Sequence, residues 1–148
     1  MKKIFSVALC AVLLIALSSP VFAAEPNNVI SHCEITLDNG ITVIDEITDC
    51  SQARATNHTY QRTRTFKDGD TVIAIVAIQA TFRYDGTTVS VVSKSVVQSD
   101  TYDGWNYKQT SFTSSGGTVT LNAKLTKWLV FNNPFTMTLS CDKDGNIT

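Results

Sequence analysis

From Thr71 to Tyr84 the chain reads TVIAIVAIQATFRY. Val72, Ala74, Val76, Ile78, Ala80, Phe82 and Tyr84 recur at every second residue, the period of a β-strand, and the run holds no 3.6-residue repeat. Its β-branched side chains fit a pleated surface better than a helix. The intervening Ile73, Ile75 and Ala77 are apolar too, which predicts a central strand covered on both sides.

The rest of the chain follows the same period. Thr, Ser, Val and Ile dominate, and clusters of Gly and Asn/Asp interrupt the alternation every ten to fifteen residues. That pattern marks an antiparallel all-β domain. Further strands are expected near 33–37, 41–47, 57–66, 87–98, 105–113, 118–131 and 135–141. Val119, Leu121, Ala123 and Leu125, then Leu129 and Phe131, form a second inward series, and Phe135, Met137, Leu139 and Cys141 a third. Strand 57–66 alternates threonines and Gln61 with Tyr60, Arg62 and Arg64, so it reads as an edge blunted by charge. Two sheets packed face to face bury these stripes. The expected fold is an antiparallel two-sheet β-sandwich, immunoglobulin-like or related, of about seven or eight strands.

Two turns can be read for register. In CEITLDNGITVID, a three-residue loop Asp38-Asn39-Gly40 pairs Leu37 with Ile41 and Ile35 with Val43, which keeps the apolar set on one face. In FRYDGTTV, a two-residue loop Asp85-Gly86 pairs Phe82 with Val89 and Ala80 with Val91.

The first residues, MKKIFSVALCAVLLIALSSPVFAAEP, have the form of an export signal. Lys2 and Lys3 precede an apolar run from Ile4 to Leu17, too short to span a bilayer, and Val21 and Ala23 supply the small residues for cleavage. Residues 1–23 are therefore expected to be removed, leaving one domain from Ala24 to Thr148. Without Lys2 and Lys3, 10 of the 12 basic residues remain against 13 acidic ones, a net charge near −3. No basic field exists to attract nucleic acid, and no membrane insertion is expected after cleavage. Residues 25–53 carry six acids and no Lys or Arg, whereas 54–67 carry Arg54, Arg62, Arg64 and Lys67 and no acid. These blocks either pair across strands or form two solvated faces.

Cys33, Cys50 and Cys141 survive cleavage, which leaves one thiol over after any single disulfide. Cys33 and Cys141 lie on inward series of the first and last strands and are the expected pair if those strands meet. Cys50, in the polar TDCSQ segment, is the alternative partner for Cys141. The wide spacings, with only His32 and His58 as imidazoles, do not form a metal-ligand motif, and no cofactor is expected.

No GxSxG, HExxH or Cys–His arrangement occurs, so the chain is not expected to be an enzyme. SSGG at 114–117 has no following Lys-Ser/Thr or helix and reads as a hairpin loop. Asp68/Asp70 and Asp100/Asp103 flank glycine turns and read as turn chemistry before they read as calcium ligands or glycosidase acids. The closing SCDKDGNIT matches part of an EF-hand loop but ends before the bidentate glutamate of position 12, so it is a turn. The aromatic stretch TYDGWNYKQ stands out: Tyr102 in a loop, with Trp105 and Tyr107 alternating onto one face of the next strand. These three are the candidate ligand-binding residues if exposed, and a core plug if buried. Trp128 projects away from the main stripe.

From TYQRTRTF to CDKDGNIT, residues 59–148, the chain resembles a group of small secreted proteins of Gram-positive gut bacteria. The shared stretches are ATFRYDGT, YDGW, SGGTVTL and LSCDKDGN. The resemblance implies a signal peptide and an all-β domain; it transfers no activity and no functional residues. The expectation is an exported β-sandwich that acts by binding an extracellular protein or glycan. The alternative is a secreted antagonist, such as a bacteriocin-like toxin or a hydrolase inhibitor.

Overall fold

The computed structural model describes residues 28–52, 56–128 and 131–148. The expected export signal, Arg54 and Leu129 lie outside the described residues. Eight strands are present among the described residues: β1 (Asn28–Thr36), β2 (Ile41–Asp49), β3 (His58–Asp68), β4 (Thr71–Tyr84), β5 (Val89–Thr101), β6 (Trp105–Ser115), β7 (Thr118–Lys127) and β8 (Phe131–Ser140). They form a five-stranded sheet, β1-β2-β3-β4-β5, and a three-stranded sheet, β6-β7-β8, packed into a two-sheet β-sandwich. Every strand pairs antiparallel with its neighbour in sequence except at the β5–β6 crossing between sheets. The path is thus a plain meander. It shares its two layers with immunoglobulin domains but not their Greek-key connections.

The alternating stripes close the core. Ala74, Val76, Ile78, Ala80 and Phe82 of β4 meet Val119, Leu121, Ala123 and Leu125 of β7 and Met137 and Leu139 of β8, all buried. Ile73 joins them because it is the extra residue of a bulge between the Phe66–Ala74 and Lys67–Val72 pairs. Gly117 marks a tight approach in the β6–β7 turn. A Cβ there would lie 2.2 Å from the Cys141 carbonyl oxygen, to whose residue Gly117 is already hydrogen-bonded.

The first turn has the expected register: Ile35 faces Val43, Cys33 faces Asp45, and Gly40 takes φ 81°. Three other expectations are corrected. The Asp85 loop is two residues longer than expected, pairing Tyr84 with Val89 and Phe82 with Val91. Asp85 lengthens it by accepting from the amides of Thr87 and Thr88 at 2.9 and 2.7 Å. Because the change is even, the valines still face inward. The span 118–131 is not one strand: β7 ends at Lys127, and Phe131 opens β8 opposite it. The turn-like Asn132-Asn133-Pro134 lies inside β8, where an edge position tolerates proline.

The third correction concerns β3, which is the middle strand of the larger sheet rather than an edge. Its arginines are only partly solvated. They share the inward side of the strand with buried Tyr60 and Phe66. Asp45, opposite Arg64 on β2, receives Arg62 Nε at 2.9 Å and Nη2 at 3.0 Å, and both Nε and Nη2 of Arg64. The remaining guanidinium nitrogens cross between the sheets. Arg62 Nη1 donates to the Thr138 carbonyl, and Arg64 Nη1 to the Thr136 carbonyl at 2.9 Å. The acidic and basic blocks therefore pair across strands, and the pair latches the larger sheet to the free edge of β8. On the opposite side Lys94 Nζ reaches the Phe112 carbonyl on the edge of β6 at 3.1 Å.

Burial pushes the Asp45 carboxyl upward, but the hydrogen bonds and charges of Arg62 and Arg64 outweigh it and hold it below its ordinary 3.8. A carboxylate lowered in the folded state contributes stability that is complete above its unfolded value and is lost as pH falls through the folded one. The side chains of Asp45, Arg62 and Arg64 are 14, 22 and 15 % exposed, so solvent screens the cluster in part. Asp45→Asn should cost roughly 2–4 kcal/mol at neutral pH, somewhat less than breaking a fully buried pair, because two guanidiniums lose their counter-ion. Urea titrations from pH 7 to pH 2 should show the wild type losing stability below about pH 4, with a shallower loss in the variant. Equal slopes would contradict this role for Asp45.

Candidate functional site

The turn between the sheets positions the aromatic stretch. Asp103 and Gly104 both take positive φ, 55° and 76°, and Trp105 N–H bonds the Tyr102 carbonyl at 3.1 Å, as in a type I′ turn. β6 then starts with Trp105 inward. Trp105 is 5 % exposed, belongs to the core, and packs tilted on Phe131 with centroids 5.8 Å apart. Tyr107 follows on the same inward side, half-buried against Phe135. Its hydroxyl is enclosed with no partner among the described residues, and burial raises its pKa. Tyr102 is exposed. The expected platform of Tyr102, Trp105 and Tyr107 is therefore not formed, because the face shared by the last two turns toward the five-stranded sheet.

A different set of rings reaches solvent at the same end of the molecule. Trp128 is 79 % exposed, Phe131 49 % and Tyr102 44 %. Lys127 links Trp128 to the core ring. Its ammonium lies 5.9 Å from the Trp105 centroid and 5.6 Å from that of Trp128, and bonds Asp103 Oδ2 at 2.8 Å. Trp128 has φ 52°, a conformation that a bulky side chain rarely adopts. Sequence reading missed this turn because it holds no Gly, Asn or Asp. The one available signal was that Trp128 falls off the apolar stripe.

A second concave feature arises where the larger sheet overhangs the smaller. A groove of about 390 Å³ runs between the free edge of β8 and the inner face of β1 and β2. Cys33, Ile35, Leu37 and Val43 form one wall, Pro134 and Phe135 another, and the Asp45–Arg62–Arg64 cluster the floor. The Cys33–Cys141 bridge is not formed; Cys33, Cys50 and Cys141 are all free thiols. β1 is the outermost strand on this overhang and does not neighbour β8, so Cys33 is exposed while Cys141 is buried. Burial, with the Asp142 charge adding to it, pushes the Cys141 thiol up to about 11.

Other candidates are engaged locally. Asp103 holds Lys127, and Asp100 accepts from Gln98 at 2.7 Å. Asp142 uses its carboxylate on the amides of Asp144 and Asn146 and on the Asn146 side chain, which shapes the closing turn. His32 bonds Glu46 at 3.0 Å, and His58 stacks on Tyr84. Among the described residues no three His, Cys, Asp or Glu side chains come together as a metal site would require. Compared with family models, curated proteins and solved structures, the chain finds no match.

The two inward aromatics should behave oppositely. Trp105→Ala removes a core ring and should cost about 3–5 kcal/mol. Tyr107→Phe deletes an enclosed hydroxyl without a partner and should be neutral or slightly stabilising. Denaturant melts of both variants check this; a neutral Trp105→Ala would return Trp105 to the surface.

Proposed function

We propose that this protein is an exported, non-catalytic binding module that holds a glycan outside the cell through the aromatic tip of Tyr102, Trp128 and Phe131. The observation that carries the reading is Trp128. Burying a ring of that size is among the largest contributions a side chain makes to folding, yet this one stands 79 % exposed on a left-handed backbone. Folding alone gives no reason for such a placement, whereas strained exposed residues recur at binding sites. Sugar rings present flat apolar faces rimmed by hydroxyls. The tip offers aromatic faces with Lys127 and Asp103 beside them as donor and acceptor.

The second reading, a secreted antagonist, would press the same exposed rings into a protein target. Tryptophan and tyrosine are the usual anchors of such contacts.

A glycan array probed with the purified protein tests the proposal. The wild type should mark a restricted set of glycans. Trp128→Ala should weaken that binding at least tenfold while changing stability by no more than about 0.5 kcal/mol, as expected for a surface substitution. Glycan binding that survives both Trp128→Ala and Phe131→Ala would contradict the site. An array without signal, alongside a protein partner lost on Trp128→Ala, would favour the antagonist.

A further inference from the structure

Sheet edges invite other strands unless something blocks them. Among the described residues this sandwich has four, at β1, β5, β6 and β8. On β8, Pro134 lacks an N–H, the arginines take the carbonyls of Thr136 and Thr138, and Thr148 exchanges two hydrogen bonds with Ser140. Lys94 occupies the Phe112 carbonyl of β6. β5 is broken by two bulges, whose extra residues are the exposed Val92 and Val97. β1 differs. Its nine residues, NVISHCEIT, contain no Pro, Lys or Arg, all are exposed, and its one bulge leaves Ser31–Thr36 regular.

We infer that β1 is the edge on which a second copy of this chain docks, antiparallel and two-fold symmetric, with the axis at Cys33. Bonding parity and charge select that register. Leu37 N–H points to β2, so Cys33 and Ile35 also bond inward, and His32, Glu34 and Thr36 present their N–H and C=O groups outward. Outward residues must oppose outward residues, so the two-fold axis falls on a residue rather than between two. An axis at Glu34 sets like charges opposite each other, and one at His32 opposes two imidazoles and leaves Glu34 without a counterpart. The axis at Cys33 places His32 opposite Glu34 of the second copy, twice. His32 already bonds Glu46 through Nδ1, so a row Glu46–His32–Glu34 would cross the joined sheet.

This dimer is a continuous ten-stranded sheet, with both smaller sheets on one side. The overhangs become a single trough lined by Cys33, Ile35 and Leu37 of each copy, which shelters side chains that one copy leaves exposed. The two Cys33 residues form a non-hydrogen-bonded pair. Such pairs hold Cα atoms about 4.5 Å apart, within reach of a disulfide.

Sedimentation equilibrium of the purified protein, reduced and at rising concentration, should show a reversible dimer that persists in Cys33→Ser. Adding oxidised glutathione should then link wild-type copies through Cys33: two thiols yield one disulfide and two protons, and the two electrons reduce the glutathione disulfide. Glu34→Pro removes an outward N–H and the carboxylate that faces His32 of the second copy while leaving the β1–β2 bonds in place, so it should raise the dissociation constant at least tenfold with an unchanged melt. Glu34→Lys, which opposes His32 with a cation, supplies the same test should the proline variant fold poorly. A protein that stays monomeric at high concentration, or a dimer indifferent to both Glu34 variants, would overturn the inference.

Discussion

Asp45 gathers two guanidinium groups between the layers of the sandwich, and the placement of the smaller sheet depends on that gathering. A β-sandwich normally joins its layers by apolar contact alone. Here β3 turns Arg62 and Arg64 inward between Tyr60 and Phe66. Part-buried arginines without a counter-ion would be costly, and the forked bonds to Asp45 supply it. The charge is then used geometrically, because the remaining donors reach the carbonyls of β8 and fix how far that strand lies from β3.

Two consequences follow from where the latch sits. It stops the three-stranded sheet over β3, so β1 and β2 extend beyond it and their inner face forms the groove. It also closes the edge of β8, leaving the edge of β1 as the one suited to another strand. The aromatic tip belongs to a separate part of the molecule, at the turns that enter β6 and leave β7. The ion pair of Lys127 with Asp103 joins those turns. Overhang and tip share no residues, so pairing between copies would leave the proposed ligand surface free.

Local pattern carried most of this fold. The period-two stripes of β4 and β7 and the Asp38-Asn39-Gly40 turn could be read because each depends on neighbours in sequence. What failed depends on contacts distant in sequence. Arg62 and Arg64 look like surface residues until β8, more than seventy positions away, supplies carbonyls for them. Trp128 looks like part of a strand because its turn lacks the usual residues, and Asn132-Asn133-Pro134 looks like a turn because an edge strand tolerates what an interior one does not. Trp105 was legible as aromatic and near a turn. Which way it faced depended on the sheet that packs over β6.

Native-state hydrogen exchange on Arg62→Gln/Arg64→Gln, read strand by strand, tests most directly whether the latch holds the layers together. The amides of Met137 and Leu139 face β7, and those of β4 lie in the larger sheet. If the guanidiniums fix the smaller sheet, the double variant should lose protection first and most in β7 and β8, while the β3–β4 ladder keeps a larger share of its own. A uniform loss across both sheets, or no loss at all, would contradict the account, because the apolar core alone would then be holding the layers.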